Sequence, residues 1–122
     1  MKFCWTTINV SDMEKSLAFY RDIIGLTINR RMSPNSDMEL AFLGDGDTQL
    51  ELICNKKNTD ISHGKDISLG FVVDSTEKFT AFLQSKEIAL HSGPFQPNPN
   101  IRFVYALDPD GLKIQFVENI AQ

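Results

Sequence analysis

Trp5 and Thr7, Gln49 and Glu51, Ser68 and Gly70, and Lys113 and Gln115 each stand two residues apart within apolar-rich runs. In a strand that spacing puts both members of a pair on one face. Together they offer an indole on which a planar ligand can stack, one carboxylate, one ammonium, one serine hydroxyl and two carboxamides. That inventory suits recognition of a small molecule. The indole is read in two ways: as the wall of a site, worth about 0.5–1.5 kcal/mol beyond area burial for a stacked ring, or as a plug. Glu51 cannot be enclosed alone without a partner, and Lys113 or Arg102 is expected to pair with it. His63 in the polar connector and His91 at the end of a short strand read as surface residues.

The elements that position these residues are legible from hydrophobic period. Phe3 to Val10 alternates as a strand, with Cys4, Thr6, Ile8 and Val10 on one face and Trp5 and Thr7 on the other. Ser11-Asp12-Met13-Glu14 has the spacing of a capping box, Met13, Leu17, Tyr20 and Ile24 follow at helical spacing, and Gly25 ends the helix. Strands are predicted near Leu26–Arg31, Met38–Leu43 and Thr48–Cys54, separated by turns at Ser33-Pro34-Asn35-Ser36 and Gly44-Asp45-Gly46. After a polar connector at about 55–65 the order begins again. Asp66 to Val73 is a strand, Asp74 or Ser75 caps a helix with Phe79, Phe82 and Leu83 as its buried stripe, and Ile88–His91 is a short strand. Ser92 to Asn100 reads as a Pro/Asn-rich loop that could close as a lid through Phe95. The chain ends in a hairpin, Ile101 to Leu107 and Leu112 to Glu118, around Asp108-Pro109-Asp110-Gly111. Phe103 and Tyr105 share one face of it, core or pocket being left open.

A shift of 63 residues lays Val10 on Val73 and Trp5 on Ser68, and a shift of 64 lays Leu50 on Ile114 and Glu51 on Gln115. The chain therefore reads as one domain over 1–122 made of two β-α-β-β-β modules, at about 1–55 and 66–122. Each helix can cover only one face of its small sheet. The expected fold is α+β: a curled mixed sheet, helices outside, the bare faces lining a central trough that holds Trp5, Thr7, Gln49, Glu51, Ser68, Lys113 and Gln115.

Composition excludes several classes. A net charge of −4 lacks the concentrated basic surface that nucleic acid requires. No stretch approaches the length of a membrane span, and the N-terminal residues lack signal-peptide architecture, so a cytoplasmic location is expected. Cys4 and Cys54 are expected to be buried thiols acting as small hydrophobes, not a disulfide or a zinc site.

Ile8-Asn9-Val10-Ser11-Asp12 leading into Ser16-Leu17-Ala18-Phe19-Tyr20, Gly25-Leu26, and the closing Asp108-Pro109-Asp110-Gly111 resemble the vicinal oxygen chelate superfamily. That superfamily includes glyoxalase I, extradiol dioxygenases and the fosfomycin- and bleomycin-resistance proteins. The resemblance spans nearly the whole chain and implies the paired-module fold. It also implies that metal ligands of related enzymes come from the positions of Trp5, Glu51, Ser68 and Gln115. Of these only Glu51 is a normal ligand, whereas a catalytic zinc or nickel wants at least three strong donors. Gln115 cannot serve as the base that an isomerisation needs. The expectation is a small-molecule binding protein, similar to bleomycin-resistance proteins, with no cofactor; a divalent metal is disfavoured. A divergent metal-dependent lyase or isomerase and a regulatory or interaction module are the alternatives. A homodimer is what the resemblance implies for assembly.

Overall fold

The computed structural model describes residues 1–120 and divides the chain into two compact units, one ending at His63 and the other beginning at Gly64. In the first unit, β1 (Trp5–Asn9) leads into α1 (Met13–Leu17), which continues in wider π-helical turns over Ala18–Ile23. Three strands follow: β2 (Ile28–Asn35), β3 (Met38–Leu43) and β4 (Gln49–Asn55). The second unit repeats the order with β5 (Ser68–Val72), α2 (Thr76–Ser85), β6 (Ser92–Asn98), β7 (Ile101–Leu107) and β8 (Lys113–Asn119). The strands form two four-stranded mixed sheets, ordered β1-β4-β3-β2 and β5-β8-β7-β6. Among the described residues no helix is long and apolar enough to cross a membrane.

The caps recur at the same offset. Asp12 and Ser75 are the extended N-cap residues, and each accepts a bond from the amide three residues on, Lys15 N and Lys78 N, both at 3.1 Å. This corrects the Ser11–Glu14 box by one residue and decides between Asp74 and Ser75. Asp12 wins because its carboxylate satisfies the free amide and faces the positive end of the helix. Gly25 ends α1 at φ +92°, a conformation costly for any residue with a Cβ.

Alternation then builds the core on the helix side. Leu17, Tyr20, Ala41, Leu43 and Leu52 are fully buried in the first unit, and Leu83, Ala106, Ile114 and Phe116 in the second. Phe79 packs its ring 4.5 Å from that of Phe116, while Phe79 and Phe82 themselves stay half-buried. The closing turn is held by Asp108, whose Oδ1 accepts from Asp110 N and Leu112 N, both at 2.9 Å, with Gly111 at φ +89°.

Two of the four edge strands, β2 and β6, depart from the sequence expectation. β2 runs through Ser33-Pro34-Asn35, and Ser92 to Asn98 is a strand, not a lid loop, while Ile88–His91 forms no strand. Proline is tolerated because β2 and β6 lie at sheet edges, where a missing N–H breaks no ladder. The true turns are made by Asn35 and Asn98, whose Oδ1 atoms accept from Asp37 N at 2.9 Å and Asn100 N at 2.8 Å. The thiols also differ from expectation. Cys4 precedes β1 and is exposed, and Cys54 is half-buried with Sγ 3.7 Å from the Ser11 carbonyl that accepts its weak bond.

Candidate functional site

Each sheet has a helix-covered face and an open one, and the sequence-predicted residues lie on the open faces. In the first unit, β1 pairs in parallel with β4 so that Trp5 stands beside Gln49 and Thr7 beside Glu51. Antiparallel pairing then sets Phe42 beside Glu51, and Arg30 beside Phe42. Thr7 Oγ1 donates to Glu51 Oε1 at 2.6 Å. Trp5, 47 % exposed, meets Phe42 edge-on at 5.5 Å, and the Arg30 guanidinium sits 5.1 Å from the centre of the Phe42 ring. Trp5, Asn29, Arg30, Phe42 and Gln49 line a hollow of about 270 Å³. Its chemistry is an aromatic wall with polar groups around it. Sequence reasoning missed Arg30 and Phe42; Phe42 was findable, because alternation from Ala41 and Leu43 places it opposite the core.

In the second unit the equivalent parallel pairing sets Ser68 beside Lys113 and Gly70 beside Gln115. The duplicated register is therefore complete: Trp5–Gln49 corresponds to Ser68–Lys113, and Thr7–Glu51 to Gly70–Gln115. Gly70 offers Gln115 no hydroxyl, so the bond that fixes Glu51 has no counterpart. Tyr105 stands beside Gln115 and Phe103 beside Val117, which places both rings on the open face, since Val104 and Ala106 between them are buried. Phe95 lies in β6 opposite Phe103. The Lys113 ammonium lies 4.7 Å from the Tyr105 ring centre. Arg102 donates to Gln96 and stands beside Glu118. Within its own unit Glu51 finds a neutral donor one strand away, which costs less desolvation than a buried ion pair. His91 is exposed with Nδ1 3.0 Å from Ser92 Oγ, whereas His63 is half-buried with an unbonded Nε2, against the surface reading.

Neither Trp5 and Glu51 in the first unit nor Ser68 and Gln115 in the second supply the donors that a tightly held divalent ion needs. The four amount to one carboxylate, a neutral hydroxyl, a carboxamide and an indole that cannot coordinate, and one carboxylate oxygen already accepts the Thr7 proton. Among the described residues no cluster of three or more His, Cys, Asp or Glu side chains is placed to hold a metal.

Two β-α-β-β-β units, each with one helix-covered sheet face and one face lined with rings and polar groups, make up the fold. The chain belongs to the Glyoxalase/Bleomycin resistance protein/Dioxygenase superfamily, whose sequence model matches residues 2–116. It is 28% identical over 129 residues to a lactoylglutathione lyase of Haemophilus influenzae, covering 98% of this chain and 93% of that protein. Its fold matches the trypanothione-dependent glyoxalase I of Leishmania major at a TM-score of 0.82, with 23% identity over 97% of this chain and 86% of that one. It matches TnmS3, an antibiotic binding protein from Streptomyces sp. CB03234, at 0.76, with 23% identity over 98% and 97% of the two chains.

Proposed function

We propose that this chain is a small-molecule binding protein of the superfamily that works without a tightly held divalent ion. The observation that carries the reading is the Glu51 carboxylate hydrogen-bonded to Thr7 at 2.6 Å, together with Trp5, Ser68 and Gln115, none a strong metal donor, at the positions from which the resemblance draws metal ligands. A ligand with a flat body stacks on Trp5 and is oriented by Gln49 and Glu51. The assembly proposed with it is a homodimer, which sedimentation equilibrium would measure directly. Protein purified without chelator is expected to carry far less than one equivalent of nickel, zinc, manganese or iron. Fluorescence of Trp5, the single tryptophan, is expected to be quenched by a planar cation such as proflavine, and less so in Glu51→Gln. Near-stoichiometric metal that is lost in Glu51→Ala would overturn the reading.

The second reading is a metal-dependent lyase, and the similarity to the Haemophilus influenzae lactoylglutathione lyase favours it. Lactoylglutathione lyase activity that appears on adding nickel or zinc and vanishes in Glu51→Ala would establish it in place of the first.

A further inference from the structure

We infer that the second unit carries a ligand site of its own, a cup of three aromatic rings built to take a flat aromatic acid. Phe95, Phe103 and Tyr105 touch pairwise, with ring centres 5.6, 6.2 and 5.7 Å apart and planes inclined at 43°, 66° and 82°. With Gln96 and Pro97 they line a hollow of about 560 Å³, and Phe95 is 44 % exposed. The hollow is shallow and open on its outer side, so a guest of two fused rings would lie flat against the rings with its other face toward solvent.

The first unit acts as an internal control for what the fold requires here. Met32 stands opposite Leu40 as Phe95 stands opposite Phe103, and Phe42 stands beside Glu51 as Tyr105 stands beside Gln115. The same scaffold positions are thus filled by methionine and leucine without loss of the strand pairing. Rings at all three positions are a property of the second unit alone, and the fold does not demand them.

The polar groups at the cup's edge select the sign of the guest. An aromatic cage can also take a cation, but Lys113 already sets its ammonium over Tyr105, where the first unit has Gln49. A second cation would be repelled and an anion drawn in. Gln96 Oε1 is taken by Arg102 Nη2 at 3.1 Å, and Arg102 alternates with Phe103 and Tyr105, so the sign of the guest is set by Lys113 alone. Aromatic rings with an ammonium at the rim describe a site for a carboxylate on a fused aromatic ring.

This site stands on the second unit and does not depend on Trp5. The test titrates the full chain with 2-naphthoate and with 2-naphthylmethylammonium, following amide shifts by NMR and heat by calorimetry. Naphthoate is expected to move amides of β6, β7 and β8 and to bind at least about tenfold more tightly than the cation. Lys113→Gln is expected to weaken naphthoate about tenfold, as loss of a charge-assisted bond does. Phe103→Leu and Phe95→Met, which place the side chains of Leu40 and Met32 at the equivalent positions of the second unit, are expected to weaken it several-fold. Trp5→Leu leaves it unchanged. No naphthoate binding at millimolar concentration, equal affinity for the two naphthalenes, or Lys113→Gln and Phe103→Leu matching the wild type would each overturn the site. Loss of naphthoate binding in Trp5→Leu, with shifts confined to β1 and β4, would overturn it too, while supporting the proposed function of the first unit.

Discussion

The two units share a backbone plan down to register, yet they have spent their open faces differently. In the first, the parallel pair β1–β4 carries an indole, a threonine and a carboxylate closed by one 2.6 Å hydrogen bond. In the second, the pair β5–β8 carries serine, glycine, lysine and glutamine beside three clustered rings. The helix-covered faces have not diverged in kind: leucine, isoleucine, alanine and phenylalanine fill both cores. Packing at near-crystalline density constrains the covered face strongly, and the open face is free to follow ligand chemistry. Differences between equivalent positions on the open faces therefore carry functional information that differences within the cores do not.

The largest effects that probe this comparison are expected from the cores. Phe116 and Leu52 are equivalent and both wholly buried, but Phe116 also packs on Phe79. Phe116→Ala should cost about 3–5 kcal/mol and Leu52→Ala about 2–5 kcal/mol, read from urea midpoints at constant slope. A Phe116→Ala loss under about 1 kcal/mol would mean that the second unit's covered face is not its main source of stability.

Much of this was legible beforehand, and the misses have physical causes. Strand β3 was placed residue for residue, and the closing hairpin nearly so, because alternation and the turn residues Asp108 and Gly111 agree there. The edge strands β2 and β6 were hidden because proline and asparagine in Ser33-Pro34-Asn35 and Gln96-Pro97-Asn98 signal turns locally; only the sheet edge makes them strand residues. The repeat itself could have exposed the error, since Pro34 and Pro97 obey the same shift of 63 as the caps. Glu51's partner was missed for another reason. The sequence shows which residues share a face, and Thr7 was among them, but charge was weighed above proximity across the parallel pair.

Intermediate effects should come from the caps, where the two units are expected to behave alike. Asp12→Ala and Ser75→Ala each remove one acceptor from an amide 3.1 Å away, so each should cost about 1 kcal/mol. Thermal or urea denaturation of the two variants would compare them. A marked inequality would show that the shorter α1, with its π-helical continuation, leans on its cap to a different degree than α2 does.

The smallest effect separates the units by pH. Glu118 Oε1 accepts from Thr76 N at 2.8 Å and from Thr76 Oγ1 at 3.0 Å, tying β8 to the start of α2; the equivalent residue in the first unit is Cys54, whose thiol makes only a weak bond to the Ser11 carbonyl. The Thr76 backbone bond, then its hydroxyl bond, and more weakly the charge of Arg102, hold the Glu118 pKa below its usual 4.5, against a smaller desolvation cost. The unfolded chain therefore binds the proton more readily than the folded one, and stability rises with pH across that window. The contribution of Glu118 is complete above about pH 4.5 and fades as pH falls through the depressed folded-state value. Urea midpoints measured from pH 6 down to pH 3 should thus fall less steeply for Glu118→Gln than for the wild type. A Cys54→Ser variant, altered at the matching place in the first unit, should keep the wild-type slope. Parallel curves for wild type and Glu118→Gln would place the acid sensitivity elsewhere and remove this distinction between the units.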